Sequence, residues 1–258
     1  ADTLVGTFNN IATVRQLFQS NPGEIAAVII EPVAGNMGVV PATPEFLAEL
    51  RTLCTQHGAL LIFDEVMSGF RVALRGAAAI YGIVPDLYTF GKIIGGGLPV
   101  GAYGGARAVM EVVSPLGPVY QAGTLSGNPL AVAAGLATLR TLIEHDPYQQ
   151  LETAAATIAD ALRASAGRHG IPVQLNRVGS MLTAFFTAGP VSDYASAVAS
   201  NAGQFATFFH AMLQRGVYLP PSQFEAWFVS MAHGDAEVEF TIHAAEQAMG
   251  ELAEALAG

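Results

Sequence analysis

Three short apolar runs constrain this chain more than any other feature. They are Ile25-Ala26-Ala27-Val28-Ile29-Ile30, Leu60-Leu61-Ile62-Phe63 and Leu87-Tyr88-Thr89-Phe90. Each is short for a core helix, carries β-branched or aromatic residues, and is bounded by glycine, proline or acid. Helix patterns alternate with them. Asn10 caps one through Val14, Leu17 and Phe18, which stops at Asn21-Pro22-Gly23. Thr43-Pro44-Glu45 opens another with an N-cap, a first-position proline and a first-turn acid. It places Leu47, Leu50 and Cys54 on one face and ends near His57-Gly58. Apolar strands separated by helices predict an α/β fold, a mostly parallel sheet covered on both faces. A further short strand is expected around Val100–Tyr103. Asn128-Pro129 opens a helix from Leu130 to about Ile143 that is apolar all round, which predicts burial.

The pattern changes after His145-Asp146-Pro147. A helix is expected over Leu151–Ala166, then strands at Val173–Val178 and Met181–Phe186. A stretch of small polar residues, Val191–Gly203, leads into a helix with Phe205, Phe208, Phe209 and Met212. Val217–Leu219 and Trp227–Ser230 are candidate strands. From Asp235, the residues Val238, Ile242, Ala245, Met249, Leu252 and Leu256 recur every third or fourth position and make an amphipathic stripe. The expected division is a first domain over residues 1–143 and a smaller α+β domain over residues 144–258.

Composition excludes several functions. The net charge is −10 with no basic stripe, so nucleic acid is not a partner. Mean hydropathy is +0.42, but alanine supplies much of it. Glycine, proline or charge interrupts every long apolar run, so no membrane span is expected. Cys54 is the only cysteine, which rules out an internal disulfide and fits a reducing cytoplasm. The six histidines lack metal-ligand spacing, and no metal is expected. Ala1-Asp2-Thr3-Leu4 has no signal-peptide character and reads as the interior of a longer chain.

Two of the apolar runs end in reactive groups. One delivers Asp64-Glu65. The other delivers Gly91-Lys92, followed by Ile93-Ile94-Gly95-Gly96-Gly97. Ligands of open parallel sheets sit outside the carboxyl ends of the strands. Asn36 lies in the loop after a third strand. An amine there can hold an aldehyde cofactor as a Schiff base, and a carboxylate can keep that cofactor's ring nitrogen protonated. Each signal alone has a plainer reading. An Asp-Glu pair also caps helices, and a lysine before glycines is also a solvated loop residue. A P-loop is excluded by order, because there the lysine follows the glycines.

Taken together, several segments resemble a known family. They are Glu31-Pro32-Val33 with Gly35-Asn36, Phe63-Asp64-Glu65-Val66-Met67-Ser68-Gly69-Phe70-Arg71, Pro85-Asp86-Leu87 with Gly91-Lys92, and the glycine-rich run 95–105. Tyr120–Pro129 and Leu219–Ala226 add to them. The family is the class III pyridoxal-phosphate aminotransferases of fold type I, and within it the aminomutase branch. The likeness runs along essentially the entire chain. It implies that residues 1–143 are the later part of a cofactor-binding large domain. It makes Lys92 the Schiff-base lysine and acid–base group, and Asp64 the ring-nitrogen partner. Val66 would pack on the ring and Asn36 would bond the phenolic oxygen. Gly123 and Thr124 would reach the cofactor of a neighbouring subunit, which implies a homodimer with shared sites. Glu31 would stand behind these groups. Glu225 occupies a region where many relatives use arginine for a substrate carboxylate, and an acid there suits an amine-bearing small molecule.

The implied cofactor is pyridoxal 5'-phosphate, alternating with pyridoxamine 5'-phosphate. The implied reaction is an intramolecular shift of an amino group from C2 to C1, a step of tetrapyrrole synthesis. An ω-amino-acid aminotransferase of the same class, or a non-catalytic fragment, are the alternatives. The family's phosphate-binding loop has no counterpart here, so a missing N-terminal segment of the same enzyme is expected as a partner.

Overall fold

The computed structural model describes residues 3–257. They form two compact units. One runs to Pro32 and resumes over Ala42–Asp146, and the other combines Val33–Pro41 with the chain from Pro147 onward. The chain opens with α1 (Ile11–Ser20) and β1 (Ala27–Ile30), then makes an antiparallel ribbon, β2 (Val33–Ala34) and β3 (Val40–Pro41), within the second unit. Next come α2 (Pro44–His57), β4 (Leu60–Asp64), α3 (Gly76–Tyr81), β5 (Leu87–Phe90), a 3-10 turn (Lys92–Gly95), β6 (Ala102–Gly105), α4 (Arg107–Met110) and α5 (Pro129–His145). The remainder is α6 (Tyr148–Arg168), β7 (Gln174–Val178), β8 (Met181–Phe185), α7 (Tyr194–Val198), α8 (Ala202–Gln214), β9 (Trp227–Phe228) and α9 (Asp235–Ala257).

The first unit is built on a four-stranded sheet in the order β1-β4-β5-β6. The first three strands are parallel, and β6 runs antiparallel to β5. Asn10 stands at the N-cap position of α1 but its side chain makes no cap hydrogen bond, whereas the cap expected at Thr43 forms. Thr43 Oγ1 accepts the Phe46 N–H at 3.2 Å, and Gly58 ends α2 with φ +69°, a left-handed value that a side chain would resist. Val14, Phe18, Phe46, Leu47, Leu50, Leu53, Cys54, Leu61, Phe63 and Ala78 form one apolar core between α1, α2, α3 and one face of the sheet. Burial pushes the Cys54 thiol up to about 11.

The other face departs from the expectation of full cover. Register places Ala27, Ile29, Leu60, Ile62 and Leu87 together on it, and Ile29 is 62% exposed. The helix α5 departs further. It forms where expected, with Asn128 Oδ1 accepting the Ala131 N–H at 3.0 Å. Yet only Ala131 and Gly135 are buried, while Leu130 is 76% and Ile143 63% exposed. All-round hydrophobicity reported a helix that needs cover, and the described residues do not supply it.

The second unit packs α6, α8 and α9 against the antiparallel sheet β7-β8-β9. Its core holds Leu162, Leu182, Phe186, Phe208, Met212, Ala248, Met249 and Leu252. The stretch of small polar residues contains α7, opened by a reciprocal capping box between Asp193 and Ser196. Val217–Leu219 is not a strand, and β9 is confined to Trp227–Phe228. Among the described residues, no helix is long and apolar enough to cross a membrane.

Candidate active site

Asp64 is the last residue of β4 and pairs in register with Thr89 of β5. Two donors converge on one of its oxygens. The Val66 N–H reaches Oδ1 at 3.0 Å and the Thr89 hydroxyl reaches it at 3.2 Å. Both bonds fall on Oδ1, which leaves Oδ2 to accept from a ligand. The register itself is fixed at the other end of the strand. Asp86 Oδ2 accepts the Leu61 N–H at 2.7 Å and the Arg51 guanidinium at 2.7 Å. Partial burial pushes the Asp86 carboxyl up, but those two bonds and the Arg51 charge outweigh it and hold the group below the usual range.

Lys92 follows β5 and opens the 3-10 turn. It is exposed and has φ +49°, a left-handed value unusual for lysine. The turn is wedged on both sides. Gly91 is buried in extended conformation, and a Cβ there would stand 3.2 Å from Val66 Cγ1. Beyond Lys92, a Cβ on Gly135 of α5 would stand 2.0 Å from the Ile94 carbonyl oxygen, and one on Gly96 would stand 2.5 Å from the Ala134 carbonyl oxygen. The backbones of the turn and of α5 therefore meet without side chains between them. Asp64, Val66 and Lys92 are brought to adjoining strand ends. Gly123 and Thr124 sit in an exposed segment of the same unit just before α5, where the Ser126 N–H donates to the Gly123 carbonyl at 3.0 Å.

The second unit brings Asn36 and Glu225 onto neighbouring loops. The Gly38 N–H donates to the Phe224 carbonyl at 2.7 Å. Val39 N–H donates to Thr183 Oγ1 at 3.0 Å, and that hydroxyl reaches the Glu225 carbonyl at 3.3 Å. Both Asn36 and Glu225 are exposed.

The donor set fits a planar aldehyde cofactor with a basic ring nitrogen. A carboxylate oxygen that accepts no hydrogen bond among the described residues suits the ring N–H. An exposed amine beyond the adjoining strand suits the aldehyde, and the apolar Val66 suits a ring face. Among the described residues, no cluster of histidine, cysteine and acid could hold a metal. The reading of the sequence passed over Glu65 and Gly135. The Glu65–Ser68 spacing and the glycine inside an apolar helix were the available signals.

Comparison with known proteins defines the class. The class-III aminotransferase family model matches residues 6–244, and the chain belongs to that family. Among curated proteins, it is 58% identical over 244 residues to a glutamate-1-semialdehyde 2,1-aminomutase of Chlorobium limicola, covering 95% of this chain and 57% of the relative. It is 58% identical over 248 residues to the enzyme of the same name from Pelotomaculum thermopropionicum, covering 96% and 57%. The chain thus spans a little over half the length of these relatives. Among solved structures, an ω-transaminase from Sphaerobacter thermophilus superposes with TM-score 0.89 at 33% identity, covering 95% of this chain and 56% of that one. A glutamate-1-semialdehyde aminomutase from Pseudomonas aeruginosa, in complex with PMP, gives 0.85 at 28% identity, covering 97% and 56%.

Proposed function

We propose that this chain is the later part of a glutamate-1-semialdehyde 2,1-aminomutase. The enzyme moves the amino group of its substrate from C2 to C1 and yields 5-aminolevulinate for tetrapyrrole synthesis. The observation that carries the reading is the pair of strand ends that presents Asp64 and Lys92, on a chain 58% identical to proteins of that name. Bound pyridoxal or pyridoxamine phosphate supplies the electron sink that makes substrate carbons acidic. Asp64 holds the ring nitrogen protonated through Oδ2, and the charge of the carboxylate favours that proton. Val66 packs on the ring. Asn36 bonds the phenolic oxygen. Lys92 holds the aldehyde carbon at rest and, when released, carries protons between substrate atoms. Glu225 receives the ammonium group of the substrate.

Gly123 and Thr124 extend toward the cofactor phosphate of a second copy, which makes the enzyme a homodimer with shared sites. The exposed apolar residues of α5 and of the preceding segment, such as Leu116, Leu125 and Leu130, supply surface for that contact and for the part of the enzyme that the relatives carry beyond this chain. The cytoplasm is the compartment that fits.

An ω-amino-acid aminotransferase is the second reading, favoured by the TM-score of 0.89 with an ω-transaminase. The two part on acceptor dependence. In protein completed to the length of its relatives, conversion of glutamate-1-semialdehyde without added keto acid supports the aminomutase. Strict dependence on an added keto acid selects the aminotransferase. Lys92→Ala is expected to abolish the borohydride-trapped cofactor adduct and turnover together. Retention of both refutes the lysine assignment.

A further inference from the structure

Among the described residues, Glu65 is the only charged side chain in the protein's buried set, at 1% exposure. Its carboxylate is fully engaged. Oε2 accepts from the Ser68 hydroxyl at 2.8 Å and from the Ala77 N–H at 2.9 Å. Oε1 accepts from the Ala78 N–H at 2.9 Å. Gly76 makes the approach possible, because a Cβ at that position would lie 2.5 Å from Oε2. The backbone of Glu65 is held as well. Its N–H donates to the Thr89 carbonyl at 3.0 Å, and its carbonyl accepts from Gly69 at 2.9 Å. Thr89 is also the residue whose hydroxyl reaches Asp64.

We propose that Glu65 is a positioning residue for Asp64. It locks the turn that follows β4 to the start of α3, so that the Val66 N–H stays on Asp64 Oδ1 and Oδ2 keeps a fixed direction. The proposal rests on the cofactor reading above, in which Oδ2 meets the ring nitrogen. It requires a carboxylate and not merely a polar group of the same size. Each carboxylate oxygen faces a backbone N–H, so a glutamine turned either way sets its own N–H₂ against one of them. One buried donor is then left unpaired, and the turn relaxes to find a partner.

The test compares Glu65→Gln, Glu65→Asp and Leu47→Ala in protein completed to the length of its relatives. Leu47 is fully buried in the core of the same unit and lies outside the site, so it reports loss of stability alone. Amide exchange at Val66 and titration with pyridoxal 5'-phosphate are measured on each. In Glu65→Gln, Val66 exchange is expected to quicken about tenfold or more, and the cofactor dissociation constant to rise about tenfold. Glu65→Asp keeps the charge and is expected to recover part of both. Leu47→Ala lowers the melting temperature without either change. Wild-type exchange at Val66 in Glu65→Gln overturns the proposal. So does quickened exchange with an unchanged dissociation constant, and so does the same pair of effects in Leu47→Ala. A wild-type protein that takes up no cofactor overturns the cofactor reading instead, and the amide measurement alone then decides whether Glu65 holds the turn.

Discussion

Gly135→Ala tests how the turn of Lys92 is held. A Cβ at this position would stand 2.0 Å from the Ile94 carbonyl oxygen, 3.1 Å from its carbonyl carbon and 3.8 Å from Gly95 Cα. The obstacle is backbone, which cannot swing aside as a side-chain tip can. Ordinary contact begins near 3.4 Å, so α5 and the turn must separate by about 1.4 Å. Two opposing terms set the stability change. Overpacking of this kind costs about 1–3 kcal/mol. Replacing glycine by alanine inside a helix returns about 1 kcal/mol. The net is a loss of about 0–2 kcal/mol, which the fold can survive. The effect on the site is larger, because Ile94 lies two residues beyond Lys92. A displacement near 1 Å can lower a rate about a hundredfold. The assay pairs thermal unfolding with the rate at which Lys92 is trapped by pyridoxal phosphate and borohydride. Gly167→Ala, inside α6 with nothing within 4 Å of its Cβ, is the control and should stabilise by up to about 1 kcal/mol. If Gly135→Ala stabilises as Gly167→Ala does and traps at the wild-type rate, the close approach of α5 and the turn does not set the position of Lys92.

Two further outcomes follow from the structure. Asp86 is held below the ordinary carboxylate range, so its ionisation stabilises the fold above the unfolded value near 4, and that contribution is lost as pH falls through the lower folded value. Urea unfolding of Arg51→Met and wild type should therefore differ most near neutral pH and converge below about pH 4, and a gap that widens in acid refutes the assignment. The chain expressed alone should sediment as aggregate or self-associated material, because Ile29, Leu130 and Ile143 are open to water. Leu130→Glu with Ile143→Glu should shift it toward monomer, and a monodisperse wild-type monomer by analytical ultracentrifugation contradicts this.

The sequence made the parallel strands, the cap of α2 and the strand-end residues legible for a common reason: each is a local signal. Apolar runs marked β1, β4 and β5, and Thr43-Pro44-Glu45 marked the start of α2 to the residue. What failed was non-local. The glycines of β6 carry no side chains to announce a strand, so its bounds and its antiparallel direction were not readable. The joining of Val33–Pro41 to the second unit depends on bonds such as Val39 to Thr183, across most of the chain. The hydrophobicity of α5 was read correctly as a need for cover, but composition does not say where the cover comes from. Glu65 was overshadowed by its neighbour, since an Asp-Glu pair offers two acids and only packing shows that one faces a helix start and the other the strand end.

The backbone of Lys92 joins these observations. A left-handed conformation outside glycine or asparagine costs about 1–3 kcal/mol and persists only where its surroundings over-determine it. A solvated loop lysine has no such surroundings and would relax. Here the residue before it is pinned against Val66, and the residues after it are pinned against α5 at two glycine contacts. Val66 in turn is fixed through Asp64 and the turn that Glu65 ties down. The strain at Lys92 and the bonding of Asp64 are thus maintained by one connected set of contacts within the first unit. A chain that needed lysine there only for solubility could replace it with glycine and lose the strain. An exposed amine kept at a strained position, one strand over from a carboxylate whose Oδ2 accepts no hydrogen bond among the described residues, supports the proposed role of Lys92 as the group that holds the cofactor.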